Sequence, residues 1–173
     1  MTDFILVRHA TPDYSIIDKR HYRAFGNDLA PITEEGENEA QKVCEKDFLK
    51  DADLILVSPY TRTLQTAAIM SKELNIPFKV EIDLMEWIPD KTYMYDEYSK
   101  VVEWRKHYEE NNGKNTYPED NFEEKEEIIT RVNNVLKNYT NYSKVIVVTH
   151  GMIINALTGI DKPICTETVH YTL

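Results

Sequence analysis

Three short apolar runs set the limits on how this chain folds: Phe4-Ile5-Leu6-Val7, Leu54-Ile55-Leu56-Val57 and Val145-Ile146-Val147-Val148. None alternates apolar with polar, which fits strands buried on both faces of a parallel sheet. Each run gives way at once to polar residues. Arg8-His9 follows the first, Ser58-Pro59-Tyr60-Thr61-Arg62-Thr63 the second and Thr149-His150-Gly151 the third. In open α/β sheets ligands bind beyond the carboxyl ends of the strands, so these residues read as site chemistry. Two imidazoles and two guanidinium groups at one sheet edge are a set suited to holding a phosphate.

Between the runs the spacing turns helical. Thr33 is a good N-cap for a helix from Glu34 to about Leu49, with Ala40, Val43, Cys44 and Phe48 as its buried stripe. Ser58 as cap and Pro59 at the first position open a second helix, whose apolar face is Leu64, Ala67, Ala68 and Leu74 and whose first turn carries Arg62. Free backbone amides at such a terminus already favour an anion. Thr11 to Ile32 shows little periodicity and reads as a long loop leaving the same sheet edge. A short strand near Phe78 to Ile82 leads into Asp83-Leu84-Met85-Glu86-Trp87.

Residues from about 90 to 117 look like an insertion over the site. Tyr98, Val101, Val102, Arg105 and Tyr108 share a helix face there, with Asn112-Gly113 as the stop. It is either a substrate-selecting lid or ordinary aromatic packing. A further helix, Phe122 to Tyr139, turns Ile128, Val132, Val135, Leu136 and Tyr139 to the core, and one after Gly151 uses Ile153, Ile154, Ala156 and Leu157. Glu167 to Thr172 alternates as an edge strand does. The sum is a three-layer α/β/α sandwich with a mostly parallel sheet, right-handed crossovers and an edge strand at the C-terminus, in one domain over 1–173.

Composition narrows the function. At 173 residues, 42% of them apolar, the chain is long enough for a core without disulfides or metal. The formal charge of −10 argues against nucleic-acid or anionic-membrane partners. Much of that excess is local, with eight acids against two lysines between Tyr108 and Glu127, read as a solvated loop and helix face. No apolar stretch approaches a membrane span, and Met1-Thr2-Asp3 runs straight into the first strand, so a cytoplasmic protein is expected. Cys44 and Cys165 are expected to be reduced. The histidines are scattered singly, without metal-ligand spacing.

Four blocks carry a resemblance to the histidine phosphatase superfamily, which includes the cofactor-dependent phosphoglycerate mutases. They are Leu6-Val7-Arg8-His9-Ala10, Ile32-Thr33-Glu34-Glu35-Gly36 with Glu39-Ala40, Ser58-Pro59-Tyr60-Thr61-Arg62-Thr63-Leu64-Gln65-Thr66-Ala67, and Val147-Val148-Thr149-His150-Gly151. The resemblance implies a phosphoglycerate mutase-like fold and a metal-independent phosphatase without cofactor. His9 would be the nucleophile, carrying a phosphoryl group, with Arg8, Arg62 and His150 binding the phosphate. A neutral imidazole suits that role, since its unperturbed pKa is near 6.5. Glu86 stands where the family has its proton donor, and Asp83 is a competing carboxylate. Thr11 stands where relatives have Glu, Gln or Thr near the phosphate; Ser15 replaces a frequent asparagine, and Ala10 a glycine. The expected partner is a small phosphorylated substrate, and phosphate or sulfate would fit the pocket. A mutase, a phosphohistidine or other phosphoprotein phosphatase and a non-catalytic phosphate binder are the alternatives.

Overall fold

The computed structural model describes residues 1–95 and 97–173. Its centre is a five-stranded sheet made of β1 (Asp3–Arg8), β2 (Leu54–Val57), β3 (Phe78–Val80), β4 (Lys144–Thr149) and β5 (Thr168–Tyr171). The spatial order is β3-β2-β4-β1-β5, with every pair parallel except β1 and β5. The three apolar runs are therefore the inner strands, buried along their whole length, and the C-terminal strand is the antiparallel edge.

Period-two geometry divides each inner strand between two cores. Phe4, Leu6, Leu54, Leu56, Val145 and Val147 face one layer, where Tyr108 of α4 (Tyr98–Glu110), Ile128 and Val132 of α5 (Lys125–Lys137) and Ile153 of α6 (Gly151–Thr158) pack on them. Ile5, Val7, Ile55, Val57, Ile146 and Val148 face the other, filled by Val43 of α2 (Glu34–Val43) and Ala67 and Met70 of α3 (Thr61–Leu74). The three-layer α/β/α sandwich read from the sequence is the fold observed. No helix among the described residues is long and apolar enough to cross a membrane.

Local chemistry fixes several ends, the Thr33 cap among them as expected. Thr33 Oγ1 accepts from the Gly36 amide to open α2, a reciprocal box between Glu124 and Glu127 opens α5, and Gly159 in the left-handed region (φ 76°) closes α6. Other boundaries moved. The expected loop from Thr11 to Ile32 contains α1 (Ser15–Arg20) and a 3-10 segment, Ala24–Leu29, clasped by a bridge between Pro12 and Ile32. These elements are too short for helical periodicity to register in the sequence. The helix expected to reach Leu49 stops at Val43 and resumes as a 3-10 turn over Asp47–Leu49, which leaves Phe48 half-exposed against His170 rather than in the core. Ser58 does not cap α3, which begins at Thr61. The Thr63 hydroxyl reaches back to the carbonyls of Ser58 and Tyr60 instead, and the Ser58 hydroxyl is committed elsewhere.

Phe122 is fully buried and wedged edge-on between Trp87 and Tyr108, which joins the segment after β3 to α4 and the core. Phe122→Ala is expected to destabilise the protein by about 3–5 kcal/mol, read as a lower denaturant midpoint at unchanged slope. A loss under about 1 kcal/mol would mean that this aromatic wedge is not part of the core.

Candidate active site

The polar residues after β1, β2 and β4 are brought together because the ladders run on past the strands. The His9 amide donates to the Thr149 carbonyl at 3.0 Å, and the Ser58 amide donates to Val148 at 3.1 Å. Arg8 faces Thr149 in the β1–β4 register. His9, Ser58 and His150 thus sit side by side at the carboxyl edge, and the His9 and His150 ring centroids are 5.4 Å apart. Ala10, in the place of a glycine, is fully buried without a positive φ, and its amide donates to Thr66 Oγ1.

Both imidazoles have their protons assigned by their neighbours. His9 Nδ1–H donates to the Ala10 carbonyl at 2.8 Å, which leaves Nε2 as the lone-pair nitrogen. Burial, with Arg62 next and Arg8 last, pushes the His9 pKa down to about 3, against a small opposing pull from that carbonyl. The ring is neutral at any ordinary pH. His150 is fully buried; Arg62 Nη2 approaches its Nδ1 at 3.4 Å and its Nε2 is 2.7 Å from Ser58 Oγ. Nε2–H is then the donor to Ser58. Burial, reinforced by Arg62, holds this imidazole well below its usual value too.

The two guanidinium groups are fixed at one end and free at the other. Arg8 Nη1 donates to the Pro163 carbonyl at 2.6 Å, while its Nε is buried without a partner. Arg62, in the first turn of α3 and 5% exposed, has a buried Nε in the same condition, the Tyr60 ring under its plane and Asp28 3.5 Å from Nη1. Both arginines line one pocket, and planar guanidinium groups there are suited to an anion with several oxygens.

Glu86 joins this cavity through a brace. Thr149 Oγ1 donates to the Leu84 carbonyl, and Arg131 donates to the carbonyls of Asp83 and Glu86 while pairing with the buried Glu123. The Trp87 indole and the Ile88 amide are also held by Glu123. The Glu86 carboxyl lines the cavity with Arg8, His9 and Arg62, and burial raises its pKa above the usual carboxylate range despite the Trp87 amide and the arginines. Asp83 is exposed and does not line it.

Thr11 is not brought to the cavity; its amide and hydroxyl both donate to Glu39, which ties the start of the first loop to α2. Ser15 is exposed at the start of α1. The cavity, about 430 Å³, is lined beyond the arginines by Tyr14, Phe25, Tyr93, Tyr95 and Tyr98, with Phe25 and Tyr93 stacked at 5.0 Å. Among the described residues no group of three or more His, Cys, Asp or Glu is placed to hold a metal ion.

Sequence reasoning missed Ser58 as the partner of His150, Asp28 beside Arg62, and the Arg131–Glu123 pair under Glu86. Ser58 had a signal, since it stands directly before the helix that carries Arg62. Asp28 and Arg131 lie at sequence distances of 34 and 45 from the groups that they hold, with no local pattern to mark them.

A sheet edge that gathers two neutral imidazoles, two arginines and a carboxylic acid defines a phosphoryl-handling α/β protein. Residues 4–160 match the sequence profile of the histidine phosphatase superfamily (branch 1), and the chain belongs to that family. It is 33% identical over 163 residues to the Bacillus subtilis (strain 168) protein called "Uncharacterized phosphatase PhoE", covering 91% of this chain and 76% of that one. Among solved structures it resembles a mycobacterial glucosyl-3-phosphoglycerate phosphatase complexed with VO3, with a TM-score of 0.71 at 15% identity over 98% of this chain and 90% of the other. Bacillus stearothermophilus YhfR aligns with a TM-score of 0.64 at 18% identity, covering 92% of this chain and 79% of that one.

The buried, uncharged His9 has a thermodynamic consequence. The unfolded chain protonates this imidazole below about pH 6.5, whereas the fold holds it neutral to about 3. More protons bind to the unfolded state in that window, so His9 contributes stability that is lost as the pH falls through it. His9→Asn should flatten the decline in melting temperature between pH 6.5 and 4. An unchanged slope would show that His9 is protonated within the folded protein.

Proposed function

We propose that this protein is a metal-independent phosphatase that hydrolyses a small phosphomonoester through a phosphohistidine on His9. The observation that carries the reading is the His9 tautomer: Nδ1 donates to Ala10, which leaves the Nε2 lone pair as nucleophile in a cavity that also holds Arg8, Arg62 and Glu86. Nε2 attacks phosphorus in line while the ester oxygen departs opposite. Arg8 and Arg62 meet the charge on the equatorial oxygens, and His150 serves the phosphate by holding Arg62 through Nδ1. Glu86 gives its proton to the leaving alkoxide, then takes one from the water that attacks phosphohistidine, which restores neutral His9 and releases phosphate. Its raised pKa keeps it protonated closer to neutrality than an ordinary glutamate.

The "phosphatase" in the name of the Bacillus subtilis relative supports hydrolysis over a mutase reaction. The segment from 90 to 117 acts as a substrate-selecting wall in this reading. Tyr93, Tyr95, Tyr98, Val101 and Val102 from it line the cavity beyond the phosphate position, while Asp96 lies outside the described residues.

Hydrolysis of p-nitrophenyl phosphate in the presence of chelator should be measurable for the native chain and absent in His9→Ala. Equal turnover in both would sink the mechanism. Glu86→Gln separates the acid from other roles. It should slow an alkyl phosphate about 10²–10⁴-fold and p-nitrophenyl phosphate far less, because nitrophenolate leaves without help from a proton. Asp83→Asn should leave both rates unchanged. Equal losses on the two substrates in Glu86→Gln would assign Glu86 to binding instead.

A further inference from the structure

Asp28 takes no part in the chemistry above, yet its carboxyl lies inside the catalytic cavity. It is delivered by the 3-10 segment Ala24–Leu29, which packs on α3. Its side chain is 21% exposed, and Oδ1 is 3.5 Å from Nη1 of Arg62. Nη2 of the same guanidinium reaches His150 Nδ1, and Nε has no partner. Arg62 is therefore shared: one corner is held by a carboxylate, and the remaining donors are where a phosphate would bind.

We infer that Asp28 competes with the phosphate dianion for Arg62, so that filling the site drives a proton onto Asp28 and emptying it returns the carboxylate to the arginine. The inference rests on the phosphate-site reading of His9, Arg8 and Arg62. A dianion on the free donors of Arg62 lies within a few ångströms of a second anion on the same planar group, and such repulsion is weakly screened in a buried pocket. The groups that face Asp28 and set its charge are Arg62 and Tyr60 at the start of α3, Glu86 after β3, Tyr14 before α1 and Tyr95 in the insertion. Burial raises Asp28 to about 6, with Glu86 adding to the rise and Arg62 opposing it. The free enzyme at neutral pH thus holds mostly a carboxylate, and an arriving dianion raises that pKa further. In turnover, deprotonation of Asp28 after hydrolysis helps to expel inorganic phosphate. The residue acts on product release through Arg62 and is a positioning residue, distinct from the acid Glu86.

The test is calorimetric binding of inorganic phosphate to the native chain and to Asp28→Asn from pH 5 to 8.5, in buffers of different ionisation enthalpy. Taking the ratio of the two affinities at each pH cancels the titration of phosphate itself. Asp28→Asn should bind phosphate about tenfold or more tightly at pH 8, with the gap closing towards pH 5. At pH 7 the native chain should take up more protons on binding than the variant does, the proton released by phosphate itself being common to both. Asp28→Ser, which lacks the charge and most of the bulk, serves where Asn alters the fold, and the same gain is expected. A ratio near one at every pH, or weaker binding by the variants, overturns the role of Asp28 and leaves the phosphate site standing. Native protein that binds no phosphate at any pH, with Arg62→Ala no different, overturns the phosphate-site reading and this inference with it.

Discussion

Everything at the site depends on the parallel pairing of β1 with β4. The register that sets Arg8 opposite Thr149 carries on for one more hydrogen bond, from the His9 amide to the Thr149 carbonyl, and so places the two imidazoles at the same height above the sheet. A slip of one residue would turn His9 towards the opposite face and separate the pair. Register is held by burial: Phe4 and Leu6 must face one core and Ile5 and Val7 the other. The same alternation that fills the two hydrophobic layers therefore aligns the chemistry. Fold stability and site geometry are one constraint here.

Burying two imidazoles beside two arginines is electrostatically awkward, and the structure resolves it by keeping the imidazoles neutral and sparing the arginines full pairing. Among the described residues neither guanidinium has a close two-oxygen carboxylate partner; Arg8 relies on a backbone carbonyl, and Arg62 on a long contact to Asp28. Positive potential is thus left unspent at one edge of a protein whose formal charge is −10. Global acidity and a local anion site coexist because the field inside a low-dielectric pocket is set by the nearest groups.

Sequence reasoning captured what is local. Apolar runs of four identify the inner strands, the residues after them identify His9, Arg8, Arg62 and His150, and Thr33 identifies a helix start. Elements shorter than two turns escaped it, as at Ser15–Arg20 and Ala24–Leu29, because periodicity needs length to register. Partnerships across the fold escaped it as well. Ser58 looked like a cap since caps are recognised by position, and its actual partner, His150, lies 92 residues away. Thr11 was placed near the phosphate by position alone, while its hydroxyl is bound to Glu39 one helix further on. Nothing local separates Glu86 from Asp83 in the sequence; in the fold Arg131 grips the backbone of both, and only the Glu86 carboxyl lines the cavity.

Arg8 is held by a late part of the chain. Its guanidinium binds the Pro163 carbonyl, its amide donates to Glu167, and its own carbonyl accepts from Thr166. β5 then seals β1 on the side away from β4. These contacts join residues more than 150 positions apart, so the loop-closure entropy of nearly the entire chain must be spent before they form. The segment bearing His9 therefore lacks its edge contacts until residues 163–171 fold back onto it.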